Sequence, residues 1–233
     1  MSFTSTDGIW NRKSRGNRHT MSERAYVASI ATFTAAGVIL AALLSQASAD
    51  WTFTNMWLLL GFILGVFAVS CVGAWLVEHS DSPFVSAVGY YGLISAPFGL
   101  LIGPVVALYT PASVARVLAV TVVVVIIMGV IGALVPKSLE SWLGWLVGGT
   151  AVLVVGFFAF PLLGAFGVDI GGALRLWDWV GVVLFCGWVI YDLNRAMRLN
   201  RTLNNAVDCS AAVFLDIANM FLLLLRATGQ RRS

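Results

Sequence analysis

The chain has 233 residues, of which 59% are hydrophobic and only 11% charged, whereas soluble domains carry about a quarter charged residues. The formal net charge of +3 is segregated, with no Lys or Arg between Arg24 and Arg116, so it marks the flanks of apolar segments and gives no nucleic-acid signature. The balance excludes a soluble core of this size and describes an all-α polytopic integral membrane protein.

Residues Met1 to Glu23 are polar and contain Arg12, Lys13, Arg15 and Arg18. Residues 1–24 read as a basic, disordered N-terminal segment, because too few apolar side chains are present to offset the entropy of ordering. Seven apolar segments follow, at about Ala25–Gln46, Asn55–Val77, Phe84–Tyr109, Val114–Val135, Trp142–Leu163, Leu176–Asp192 and Asp208–Leu225. A helix needs ~20 residues to cross the hydrocarbon, and most of these qualify. The sixth is the shortest, and Arg195 and Arg198 extend it toward the headgroups. The expected organisation is one seven-helix domain over 25–226 and a short tail at 227–233. Connections are short, so neighbours pack antiparallel.

Ala47-Ser48-Ala49 imitates a signal-peptide cleavage site. The apolar run before it is longer than the usual h-region of ~7–15 residues, so a retained first span is expected. With the N-terminus inside and seven spans, the inside segments hold Arg12, Lys13, Arg15, Arg18, Arg24, Lys137, Arg195, Arg198 and Arg201. Arg116, Arg175, Arg226, Arg231 and Arg232 fall outside. Nine against five favours a cytoplasmic N-terminus, with the C-terminal arginines as the dissenting group. Short termini and no organelle-targeting signal suggest a bacterial inner membrane.

Three GxxxG pairs, Gly61/Gly65, Gly99/Gly103 and Gly144/Gly148, predict close helix packing within the chain. Pro97 and Pro104 predict a kink or irregular stretch in the third segment. Trp51, Trp57, Trp142, Trp145, Trp177 and Trp179 lie near segment ends, as in an interfacial belt. Cys71, Cys186 and Cys209 have no CxxC spacing and read as small buried hydrophobes.

Familiar enzyme chemistry has no constellation here. The histidines, His19 and His79, lie outside the apolar segments, which leaves an intramembrane Ser–His protease without its base. Neither HExxH nor GxxxxGK[ST] occurs. No catalysis and no resident cofactor are expected, and the partners expected are the bilayer, protons and cations.

The acids in the apolar segments are therefore informative. Asp216 is the only one read as clearly interior, and an ionisable group at that depth is a functional hypothesis by default. Asp208, Ala212, Asp216 and Asn219 share one face of the seventh segment. Asp208 is expected to open that helix as a cap. Asp192 ends the sixth segment near the same membrane side. Two carboxylates in a poorly hydrated site are not easily both charged, so they would share one proton, and a pH change would switch a closed pair into a repelling one. Carboxylate oxygens also suit Ca²⁺. A static buried Asp held by Ser, Asn or backbone groups is the alternative.

IYDLN at Ile190–Asn194 and FLDIANMFLLLLR at Phe214–Arg226, with AVGY at Ala87–Tyr90, resemble the transmembrane Bax inhibitor motif family, bacterial type. The resemblance covers the chain from about Ala25 onward. It implies a seven-helix bundle with the last helix central, and a pH-sensitive Ca²⁺ leak in which Asp192 and Asp216 sense protons, gate the pore and transiently meet the ion, with Asn219 in the same motif. It also implies an arginine latch at the end of the second helix. Here Glu78 to Pro83 reads EHSDSP, so His79 is the only basic candidate, and it would itself titrate near neutral pH. A second reading is a stress-regulatory membrane protein acting through a partner such as a membrane protease. A third is a proton-coupled small-solute transporter, against which stands the lack of an evident inverted repeat.

Overall fold

A computed structural model describes residues 20–232 except Thr54 and Val168. The expected disordered segment, with Arg12, Lys13, Arg15, Arg18 and His19, thus lies almost wholly outside the described residues. The described chain is helical, with seven helices long and apolar enough to span a membrane. They are α1 (Glu23–Ala47), α2 (Met56–His79), α3 (Pro83–Val106), α4 (Pro111–Leu134), α5 (Leu143–Ala165), α6 (Gly171–Ala196) and α7 (Leu203–Thr228).

Short polar side chains set the helix starts. Ser22, Asn55 and Thr110 accept hydrogen bonds from the amides of Ala25, Trp57 and Ser113, each satisfying an orphan N–H. Within the spans, Thr121 and Thr150 donate to the carbonyl four residues back, which satisfies a hydroxyl that lipid cannot.

Two compact units are distinguished. The first comprises Met1–Gly103 and Ala196–Phe214, and the second Pro104–Arg195 and Leu215–Ser233. In the first, Gly99 and Gly103 lie against α1. A Cβ on Gly99 would sit 2.7 Å from the Ala41 backbone, and one on Gly103 2.4 Å from the Ser45 carbonyl oxygen. The other two GxxxG pairs correct the expectation: Cβ atoms at Gly61, Gly65, Gly144 and Gly148 would meet nothing within 4 Å. The motif permits close approach, and it creates one only where another helix lies across that face. Ser48, at the centre of the cleavage-like triplet, is fully buried at the end of α1.

The irregular stretch predicted in α3 is a π-helix, Val88–Ser95, which includes Gly89 and Tyr90 of the AVGY phrase. The Ala96 amide bonds to the Tyr91 carbonyl, five residues back. Pro97, next in the chain, has no N–H to continue an α-helical ladder. The wide turn sets Tyr90 and Tyr91 side by side, and both hydroxyls donate to the Phe33 carbonyl at 3.3 and 3.2 Å. Tyr90 and Phe98 each meet Phe214 of α7 edge-on.

In the second unit, α4 and α6 touch backbone to backbone: a Cβ on Gly132 would lie 2.3 Å from the Ile190 carbonyl oxygen. The tail after α7 is ordered. The Thr110 amide donates to the Gln230 carbonyl at 2.9 Å, and the Arg232 amide to the Leu108 carbonyl at 2.9 Å. Five of the six belt tryptophans are well exposed, and Trp177 instead packs against Gly156 and Phe160. Of the cysteines, Cys209 is buried beside Tyr26, whereas Cys71 is exposed.

The last helix is the most enclosed span. Its most apolar window is 61% buried, against 12–44% for the others. Phe214 and Phe221, on the apolar side, are about as buried as Asp216 on the polar side.

Candidate functional site

α7 begins earlier than its hydropathy suggests. The Thr202 hydroxyl accepts from the Asn205 amide at 3.3 Å, so Thr202 is the cap and Leu203 the first helical residue. The cap expected at Asp208 is corrected: Asp208 lies more than one turn inside, half-buried. Polar Asn204 and Asn205 hid this start, yet both are buried and bonded. Asn204 Oδ1 accepts from Ser86 Oγ at 2.8 Å and Nδ2 donates to the Ser80 carbonyl at 2.9 Å, while Asn205 Nδ2 donates to the Asn200 carbonyl at 2.7 Å.

Asp216 follows from α7 and Asp192 from α6, and both are buried, at 5% and 7% exposure. Their carboxyl groups lie within hydrogen-bonding reach of each other. A bond between two carboxyls needs a proton on one of them, since ionised carboxylates only accept. The second oxygen of Asp216, Oδ2, is buried with no hydrogen-bond partner among the described residues. Asn219 sits half-buried one turn further along α7.

Two neighbours on α6 were not singled out for this site by the sequence. Asn194, two residues after Asp192, is 3% exposed. Its Nδ2 donates to the carbonyls of Gly132 at 3.2 Å and Val135 at 2.9 Å, and its Oδ1 accepts from the Leu139 amide at 3.2 Å. The Gly132 carbonyl would ordinarily receive the amide four residues on, but that residue is Pro136. Asn194 supplies the missing donor and fixes the end of α4 beside the carboxyl pair. Arg195, three residues after Asp192, is its helical neighbour, and its charge acts on both Asp192 and Tyr191. Glu140, in the 3-10 turn before α5, also acts on Tyr191. The pattern Asp-x-x-Arg at a helix end was the available signal.

His79, the expected basic candidate, is engaged by its own helix: Nδ1 lies 3.0 Å from the Trp75 carbonyl and the ring stacks on Trp75 at 5.1 Å. Asp178 was overlooked as an interior acid. It lies within α6 at 2% exposure and binds Arg226 of α7. As for Ca²⁺, no group of three or more His, Cys, Asp or Glu side chains converges among the described residues.

Over residues 19–233 the chain matches the family described as Inhibitor of apoptosis-promoting Bax1. It belongs to the Bax inhibitor family. This family member is 22% identical to the inner membrane protein YbhL of Escherichia coli strain K12 over 232 residues, covering 89% of this chain and 92% of YbhL. An uncharacterized protein of Borreliella burgdorferi is 26% identical over 156 residues, covering 64% and 65% of the two chains. Both acids and the Asn219 position lie within the matched family region.

Proposed function

We propose that this Bax-inhibitor family protein is a proton-regulated cation leak, passing Ca²⁺, with Asp192 and Asp216 as its sensor. The observation that supports this reading is the apposition of two buried carboxyls carried by different membrane-spanning helices. While the pair keeps its proton, a hydrogen bond joins α6 to α7. When pH rises and the proton leaves, two carboxylates ~4 Å apart repel by about 4 kcal/mol at an effective dielectric of about 20. Repulsion of that size favours separation of the two helices and admits water and cations to the acids. Ca²⁺ is the substrate of this process, and no step is catalytic.

The proposed setting is a bacterial inner membrane, the location named for YbhL, with the N-terminus cytoplasmic by the distribution of basic residues. The test uses purified protein in liposomes loaded with a Ca²⁺ indicator. Influx is expected to rise with pH, and Asp216→Asn is expected to abolish that dependence, because an amide beside one carboxyl cannot form a doubly charged pair. Absence of flux at every pH overturns the reading and favours a role through a protein partner.

A further inference from the structure

α6 and α7 are joined at a second place. Arg226 donates from Nε to Asp178 Oδ1 at 2.7 Å, and its Nη2 contacts the same oxygen. Asp178 is 2% exposed, and the Arg226 side chain is 36% exposed. Asp178 precedes Asp192 by 14 residues, or ~21 Å along α6 at 1.5 Å per residue. Arg226 follows Asp216 by ten residues, or ~15 Å along α7. The two contacts therefore join antiparallel helices at places far apart along the axis.

Their chemistry differs in one respect that matters. The carboxyl pair has contact only while it holds a proton, and the charges acting on Asp192 and Tyr191 beside it come from Arg195 and Glu140. The other contact is an ion pair between an arginine and a carboxylate, which involves no shared proton. On the proton-switch reading, loss of the shared proton breaks the first contact and leaves the second intact.

We propose that Asp178–Arg226 is a proton-independent clasp that holds one end of α6 and α7 together while the Asp192–Asp216 end opens and closes. The pair of helices then swings about the clasp instead of separating along its whole length. This inference rests on the proton-switch reading above, so its test reads the two ends separately.

Nitroxide pairs are placed on the full chain in lipid nanodiscs, with Cys71, Cys186 and Cys209 replaced by alanine. One pair, at the exposed Leu176 and Thr228, reports the clasp end. The other, at the half-buried Leu193 and Leu215, reports the carboxyl end. Between pH 6 and pH 8, dipolar broadening of the Leu193–Leu215 pair is expected to fall while that of the Leu176–Thr228 pair stays constant. Asp178→Asn combined with Arg226→Gln is expected to make both pairs respond to pH. The charge reversal, Asp178→Arg with Arg226→Asp, is expected to restore a constant Leu176–Thr228 signal. A Leu176–Thr228 signal that changes with pH in the parent chain, or stays constant in the neutral double variant, overturns the clasp. An unchanged Leu193–Leu215 signal overturns the proton switch and the swing built on it. A pH-dependent flux with both ends moving together overturns the clasp alone.

Discussion

Asn194→Ala separates structural support of the carboxyl pair from its chemistry. The amide makes three hydrogen bonds, to Gly132, Val135 and Leu139. Side-chain hydrogen bonds in membrane proteins average about 0.6 kcal/mol, which sets a floor near 2 kcal/mol for three. The Gly132 carbonyl then loses its donor, since Pro136 cannot replace it, and an orphaned buried group costs about 1–3 kcal/mol. The expected destabilisation is therefore about 3–5 kcal/mol. Reversible unfolding by SDS titration in mixed micelles measures it. Asn194→Asp keeps the acceptor for the Leu139 amide but loses both donated bonds, so it should recover only part of the loss. A change below about 0.5 kcal/mol for the alanine variant would refute the assignment of Asn194 as the donor that replaces proline.

Gly99→Ala places a methyl 2.7 Å from the Ala41 backbone and should destabilise by about 1–3 kcal/mol in the same SDS titration. Gly61→Ala meets no atom within 4 Å, so the better helix propensity of alanine should leave stability equal or higher by about 0.5–1 kcal/mol. Equal losses at the two glycines would contradict the packing described for α1 and α3. Thr202→Ala removes the cap of α7 and should cost about 1 kcal/mol, whereas Asp208→Ala should show no cap-type loss if Thr202 is the true start.

Much of the site was legible from local pattern. Seven apolar runs, the placement of Pro97 and the phrases around Asp192 and Asp216 each depend on residues near in sequence, because hydropathy and helix breaking are local properties. The two acids stood out for the same reason, being rare charges in apolar runs. Less legible were the polar residues at span ends. Asn204 and Asn205 lowered the apparent hydropathy of α7, and only the bonds of Asn204 to Ser80 and Ser86 and of Asn205 to the nearby Asn200 carbonyl show why a helix there begins at Leu203. Asp178 escaped notice because it stands near the start of its span, where an acid is ordinarily free to reach water.

The sequence alone thus determined a seven-span membrane protein and identified the acid pair, since the cost of burying charge in lipid makes such residues conspicuous without coordinates. Tertiary structure decided the partnerships: Asp192 with Asp216, Asp178 with Arg226, and Asn194 with the end of α4. Each depends on the depth and rotation of one helix against another. Those are set by packing of side chains far apart in the chain, of which a hydropathy pattern carries no record.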